Sequence, residues 1–168
     1  MKFNEFYSLT IVHSRDIILV KGVDYMNITK QKSQKTFDKQ AADYDTNIQG
    51  EHARKLYKPI IENLKNKNIH SILDLGCGTG ALLKEIKELN IAEQLFGIDI
   101  SPNMLEIAKN KLGNDATLIL GDSERLPFED SSFDAIVCND SFHHYPQPDI
   151  VEKEVSRCFK AKWSFHYR

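Results

Sequence analysis

The sequence predicts an α/β fold: a Rossmann-like, doubly wound, mostly parallel sheet. Three observations carry that expectation. Short apolar, β-branched runs recur at 71–75, 94–99, 116–120 and 134–139. Helix-period stretches separate them, and alternation at this spacing means βαβ units. A glycine-rich turn, Gly76-Cys-Gly-Thr-Gly80, joins the first run to the first intervening helix.

Taken in order, residues 1–25 show no pattern that assigns them. Residues 26–66 read as a helical N-terminal lid, with Leu56, Ile60, Ile61 and Leu64 at helical spacing. The core is expected over 67–160. Ser71–Leu75 is a buried first strand, and Ala81–Leu89 the helix after the glycine turn. Gln94–Asp99 is the second strand. Ser101-Pro102 then opens a helix to about Leu112, with serine as N-cap and proline in the first turn. Ala116–Leu120 and Asp134–Asn139 are the third and fourth strands, and a helix from Pro148 or Asp149 runs to about Phe159.

Composition narrows the function classes. With 168 residues, 41% hydrophobic and 27% charged, the chain has enough material for one globular domain. A net charge of −2 gives no electrostatic basis for binding nucleic acid. Cys77, Cys138 and Cys158 are scattered and odd in number, which implies neither a disulfide framework nor a metal site and fits a reducing cytoplasm. The apolar run Ile17–Val20 is too short to span a membrane.

The glycine turn is the chemical centre. Glycine lets the backbone bend tightly and lets a ligand touch main-chain atoms. The helix behind it offers free N–H groups and partial positive charge to an anionic group. An acid, Asp74, precedes the glycines, which are spaced G-x-G-x-G. Dinucleotide loops read G-x-G-x-x-G instead. Ligands of open α/β sheets sit beyond the carboxyl ends of the strands, where Asp99, Asp122 and Asn139 fall.

Ser71-Ile-Leu-Asp-Leu-Gly-Cys-Gly-Thr-Gly80 resembles the first motif of class I methyltransferases that use S-adenosyl-L-methionine (SAM). The resemblance runs over roughly 35–160. Phe37-Asp-x-x-Ala-x-x-Tyr44-Asp45 resembles the lid of the ubiquinone/menaquinone-biosynthesis branch. It implies that Asp74, Gly76, Gly78 and Gly80 form the methionine-side loop, that Asp99 holds the ribose hydroxyls and that Ile100 flanks the adenine. It further implies Asp122, with Ser123, at the adenine amine, Asn139 beside the methionine part and Tyr44 reaching over from the lid. The implied activity is methyl transfer to a small-molecule acceptor. His143 and His144 are the candidates for a general base; no third ligand accompanies them, so no metal is expected. The alternatives are a non-catalytic or vestigial SAM-binding protein and, disfavoured by glycine spacing and by Asp74 and Asp122, an NAD-dependent oxidoreductase.

Both ends depart from this pattern. The family has seven strands in the order 3-2-1-4-5-7-6, of which 3-2-1-4 are legible here. It continues Arg-x-Leu-Lys-Pro-Gly-Gly into an apolar fifth strand. Here Arg157-Cys-Phe-Lys160 is in register, and the off-family tail 161–168 follows. Read one base out of frame, the tail's codons can restore Lys-Pro-Asn-Gly-Val-Phe-Ile-Ile, so a frameshift near Lys160 is expected to remove strands five to seven. Ile136 and Val137 should then lie on an open, aggregation-prone edge, in a product without turnover. At the other end, Lys21-Gly-Val can encode a ribosome-binding sequence, which makes Met26 an expected start and 1–25 a translated leader.

Overall fold

The structure is a computed structural model that describes residues 7–11, 17–21, 30–48 and 50–160. The tail at 161–168 and the Met26 start lie outside the described residues.

A six-stranded sheet organises the chain. Strands β1 (Tyr7–Ile11) and β2 (Ile17–Lys21) come first, followed by the helices α1 (Lys30–Gln40) and α2 (Glu51–Leu64). The core then runs β3 (Ile69–Leu75), α3 (Ala81–Glu88), β4 (Ala92–Asp99), α4 (Pro102–Leu112), β5 (Ala116–Leu120), β6 (Ala135–Cys138) and α5 (Pro148–Cys158). Across the sheet the order is β2-β1-β6-β3-β4-β5. The four core strands are parallel to one another and have the expected 3-2-1-4 order.

Six of the seven residues of β3 are buried, as a central parallel strand with both faces covered requires. β6 shows the two-sided packing most clearly. Ala135 and Val137 join a core cluster with Ile60 and Leu64 of α2, Leu83 and Ile86 of α3, and Leu105 of α4. Ile136 and Cys138 point the other way, into a cluster with Phe133 and with Val151 and Val155 of α5. Ser101 caps α4 as expected, its Oγ accepting from the Met104 amide at 3.1 Å, with Pro102 at the start of the helix.

One expectation gains detail and one needs correction. The helical lid consists of two helices, separated by a 3-10 turn at Ala41–Asp43 and a turn into Gly50. The break is held by Arg54, whose guanidinium donates to the carbonyls of Tyr44 and Asn47. The outer edge of β6 is not open. β1 pairs with it antiparallel, Leu9, Thr10 and Ile11 opposite Cys138, Val137 and Ile136. Segments expected to be a leader without a fold therefore form a hairpin that completes this edge. β1 thereby gives the outer backbone groups of β6 their partners.

Candidate active site

The turn after β3 brings the three motif glycines together in the left-handed region, with φ of 70° at Gly76, 53° at Gly78 and 72° at Gly80. Their surroundings differ. A Cβ on Gly76 would stand 2.6 Å from Cβ of Ser141, and one on Gly80 would stand 2.8 Å from Leu112 and 3.0 Å from Ala108. A Cβ on Gly78 would meet only the Met104 sulfur, at 4.0 Å. Gly76 and Gly80 thus allow close packing, whereas Gly78 faces open space in the cleft.

Above the loop lies a cleft in two parts. One part, of about 520 Å³, is walled by Tyr44, Tyr57, Asp74, Asn139 and Asp140. The other, of about 480 Å³, is walled by Lys30, Ile100, Asp122, Ser123 and His144. Phe37 of α1, Gly76, Asp99 and Ser141 line both. The structure therefore gathers Tyr44, Asp74, Gly76, Gly78, Asp99, Ile100, Asp122, Ser123 and Asn139 around one cleft. Gly80 supports it from behind.

Asp74 is 2% exposed, and its Oδ1 has no partner. Burial, with a contribution from Asp99, pushes its carboxyl up to about 8. In the same cavity Asn139 donates from Nδ2 to the Ala53 carbonyl, while its buried Oδ1 also lacks a partner. Two orphaned acceptors facing one cavity are costly unless a donor fills it. Asp99 is raised by burial, against the amides of Ser101, Gly78 and Ile100, which lower it. Burial chiefly, then the charges of Asp140 and Asp99, pushes the Tyr44 phenol up to about 12.

The second cavity is held by charges that sequence reading missed. Lys30 bridges Asp122 and Glu124, at 2.6 Å from Asp122 Oδ2. Asp122 Oδ1 accepts from the Glu124 amide. The lid is anchored again by Asp38, which accepts from Ser101 Oγ, and by Asp45, which accepts from Thr79 Oγ1 and Lys111 Nζ. Such pairs join segments far apart in sequence, and local pattern carries no sign of them.

The two histidines separate. His144 packs edge-on to Phe37 at 5.0 Å, and burial pushes it down to about 4, so it is neutral at pH 7. The Nδ1 of His143 is buried without a hydrogen bond, 4.0 Å from Asp140 Oδ1. His52, at the start of α2, approaches the same oxygen at 3.1 Å. Cys77 and Cys138 are buried packing residues. Among the described residues no set of three His, Cys, Asp or Glu is placed to hold a metal, and no helix is long and apolar enough to cross a membrane.

Comparison with known proteins bears on the family and the fold. A family model described as a methyltransferase domain matches residues 73–162. A demethylmenaquinone methyltransferase of Thermotoga maritima is 34% identical over 137 residues, 80% of this chain and 59% of the relative. A malonyl-[acyl-carrier protein] O-methyltransferase of Priestia megaterium is 34% identical over 140 residues, 82% of this chain and 50% of the relative. Among solved structures, the PH0226 protein of Pyrococcus horikoshii superposes with a TM-score of 0.58 at 26% identity, covering 72% of this chain and 57% of that one. The chain spans about half the length of the curated relatives it matches.

Proposed function

The chain belongs to the class I, SAM-dependent methyltransferase family, and from that premise we propose that its cleft binds SAM and directs the methyl group to a small-molecule acceptor. The carrying observation is the pair of orphaned acceptors, Asp74 Oδ1 and Asn139 Oδ1, in one cavity. They suit the ammonium of the methionine part. Asp99, shared by both cavities, suits the ribose hydroxyls between the two ends. Ile100, Asp122 and Ser123 suit the adenine, Gly78 leaves room for close approach, and Tyr44 covers the methionine end from the lid. Family membership sets the oxidoreductase alternative aside.

When bound, the cofactor supplies a methyl group on a sulfonium leaving group. The residues of this chain then need to bind, orient and exclude water. The named activities of the two relatives, on demethylmenaquinone and on malonyl-[acyl-carrier protein], support an acceptor built on a small organic group. The net charge of −2 favours no nucleic-acid partner. Cys77, Cys138 and Cys158, all buried free thiols, support a reducing, cytoplasmic setting.

Calorimetric titration with SAM, S-adenosylhomocysteine and NAD tests this function. SAM and its product should bind and NAD should not. Tight NAD binding without a response to SAM overturns it.

A further inference from the structure

One group in the cleft remains without a role in cofactor binding. Asp140 lines the same cavity as Asp74 and Asn139, and its side chain is 14% exposed. Its φ of 54° puts a non-glycine residue in the left-handed region. The carboxylate is approached by two imidazoles from different elements, His52 at 3.1 Å and His143 at 4.0 Å, the latter with its Nδ1 otherwise unpartnered.

We propose that Asp140, backed by His52 and His143, takes a proton from the methyl acceptor, and that the acceptor is accordingly a nucleophile bearing an ionisable O–H. The proposal rests on methyl transfer at this cleft. As the acceptor oxygen forms its bond to the methyl carbon, the methyl–sulfur bond breaks and its electron pair stays on sulfur, giving a neutral thioether. The O–H proton passes to the Asp140 carboxylate. His52, with 34% of its side chain exposed, is the route onward to water. His143, 4.0 Å from the same Asp140 oxygen, is the positioning residue.

The electrostatics suit this traffic. Burial raises Asp140, while His52 and His143 pull it down. Burial lowers His143 most, and Asp140 raises it while His52 lowers it, so His143 stays below its ordinary value. Its imidazole is therefore neutral at pH 7 beside the carboxylate. The other groups facing this point are the Tyr44 phenol, which feels the Asp140 charge, and the carboxyls of Asp74 and Asp99 in the same cavity. An acceptor already anionic at neutral pH needs no such group.

The test compares two phenols as methyl acceptors at mildly alkaline pH: phenol itself, which stays un-ionised there, and 4-nitrophenol, which is largely ionised. Asp140→Asn removes the charge and keeps the backbone, since Asn tolerates the left-handed region. It should slow methylation of phenol by about 100-fold or more while leaving 4-nitrophenol and the S-adenosylhomocysteine affinity within about 3-fold, the selectivity of a lost general base. NMR titration should show the His143 midpoint falling in the variant, because its carboxylate partner is gone. Equal loss on both phenols, or no loss on either, overturns the proposal. So does a wild type that binds S-adenosylhomocysteine and methylates neither phenol. Failure to bind SAM or its product removes the underlying methyltransferase function, and this proposal with it.

Discussion

The amide of Gly78 donates to the Asp99 carboxylate at 2.9 Å, so the end of β4 holds the glycine loop that follows β3. The other oxygen of Asp99 accepts from the Ser101 amide at 2.8 Å, at the cap of α4. One carboxylate therefore positions the loop and helix it shares the cleft with, besides facing any ligand there. Asp99→Ala should weaken SAM binding by roughly 1.5–3 kcal/mol, the scale of hydrogen bonds to a charged group. It should also lower stability, because Gly78 and Ser101 lose their acceptor. Calorimetry and urea denaturation on the same variant read the two effects separately.

Asp74 gives a pH dependence with a definite sign. Its folded-state pKa is raised to about 8 by burial and by Asp99. The folded state thus holds this proton more tightly than the unfolded chain. The stabilising contribution is full below the unfolded value near 4 and is lost as pH rises through about 8. Asp74→Asn, which cannot ionise, should melt roughly 3–6 °C higher than wild type at pH 9, with the gap closing toward acid pH. Melting curves across that range check it.

The same carboxyl predicts a proton count on binding. A cationic group docking on Asp74 requires the ionised form, so SAM binding near pH 7 should release a proton. Titrations in buffers of different ionisation enthalpy measure that release, which should vanish in Asp74→Asn.

The three glycines should respond unequally to alanine. Gly76→Ala and Gly80→Ala place a methyl against Ser141 and against Ala108 at 3.0 Å or less, with φ strain added. Each should cost more than about 2 kcal/mol of stability. Gly78→Ala meets open space and should cost only the left-handed penalty of about 1–2 kcal/mol. Its methyl enters the cleft, so SAM affinity should fall more than stability. Denaturation midpoints and binding isotherms separate these outcomes.

Arg157 ties α5 to the loop before β6. Its guanidinium donates to the carbonyls of Leu126 and Phe128 and to the carboxylates of Asp130 and Glu154. Arg157→Met keeps the stem and removes these bonds, leaving the part-buried Phe128 carbonyl with only the distant Cys158 thiol and that of Leu126 without the Arg157 donor. The expected loss is about 2 kcal/mol, read from the denaturation midpoint.

Much of this was legible before any coordinates. The core strands announced themselves because a parallel sheet covered on both faces demands uninterrupted apolar runs. The run 116–120 matched β5 residue for residue, and Ser101-Pro102 carried its helix start in its own chemistry. The site acids fell at strand ends, where topology puts ligands. What escaped was non-local. The ion pair of Lys30 with Asp122 and that of Asp45 with Lys111 depend on how the lid docks, and no spacing encodes that. Asp140 escaped too, because an unusual φ leaves no mark on residue type when Asp tolerates it. The edge beside β6 was misjudged for a related reason: strand partners can come from anywhere in the chain.

That last pairing bears on how the chain reaches its native state. Leu9 finds Cys138 only after every residue between them has been made. Closing so long a loop adds little to the equilibrium cost, which grows only with the logarithm of length. It weighs instead on rate, since distant contacts must wait for the search to end. During synthesis the hairpin emerges long before β6 exists, with one side of β1 bare. For this side of β1 the hazard of self-association is thus confined to a window of time between the first strand and the sixth, in which chaperone supply or synthesis speed should govern yield.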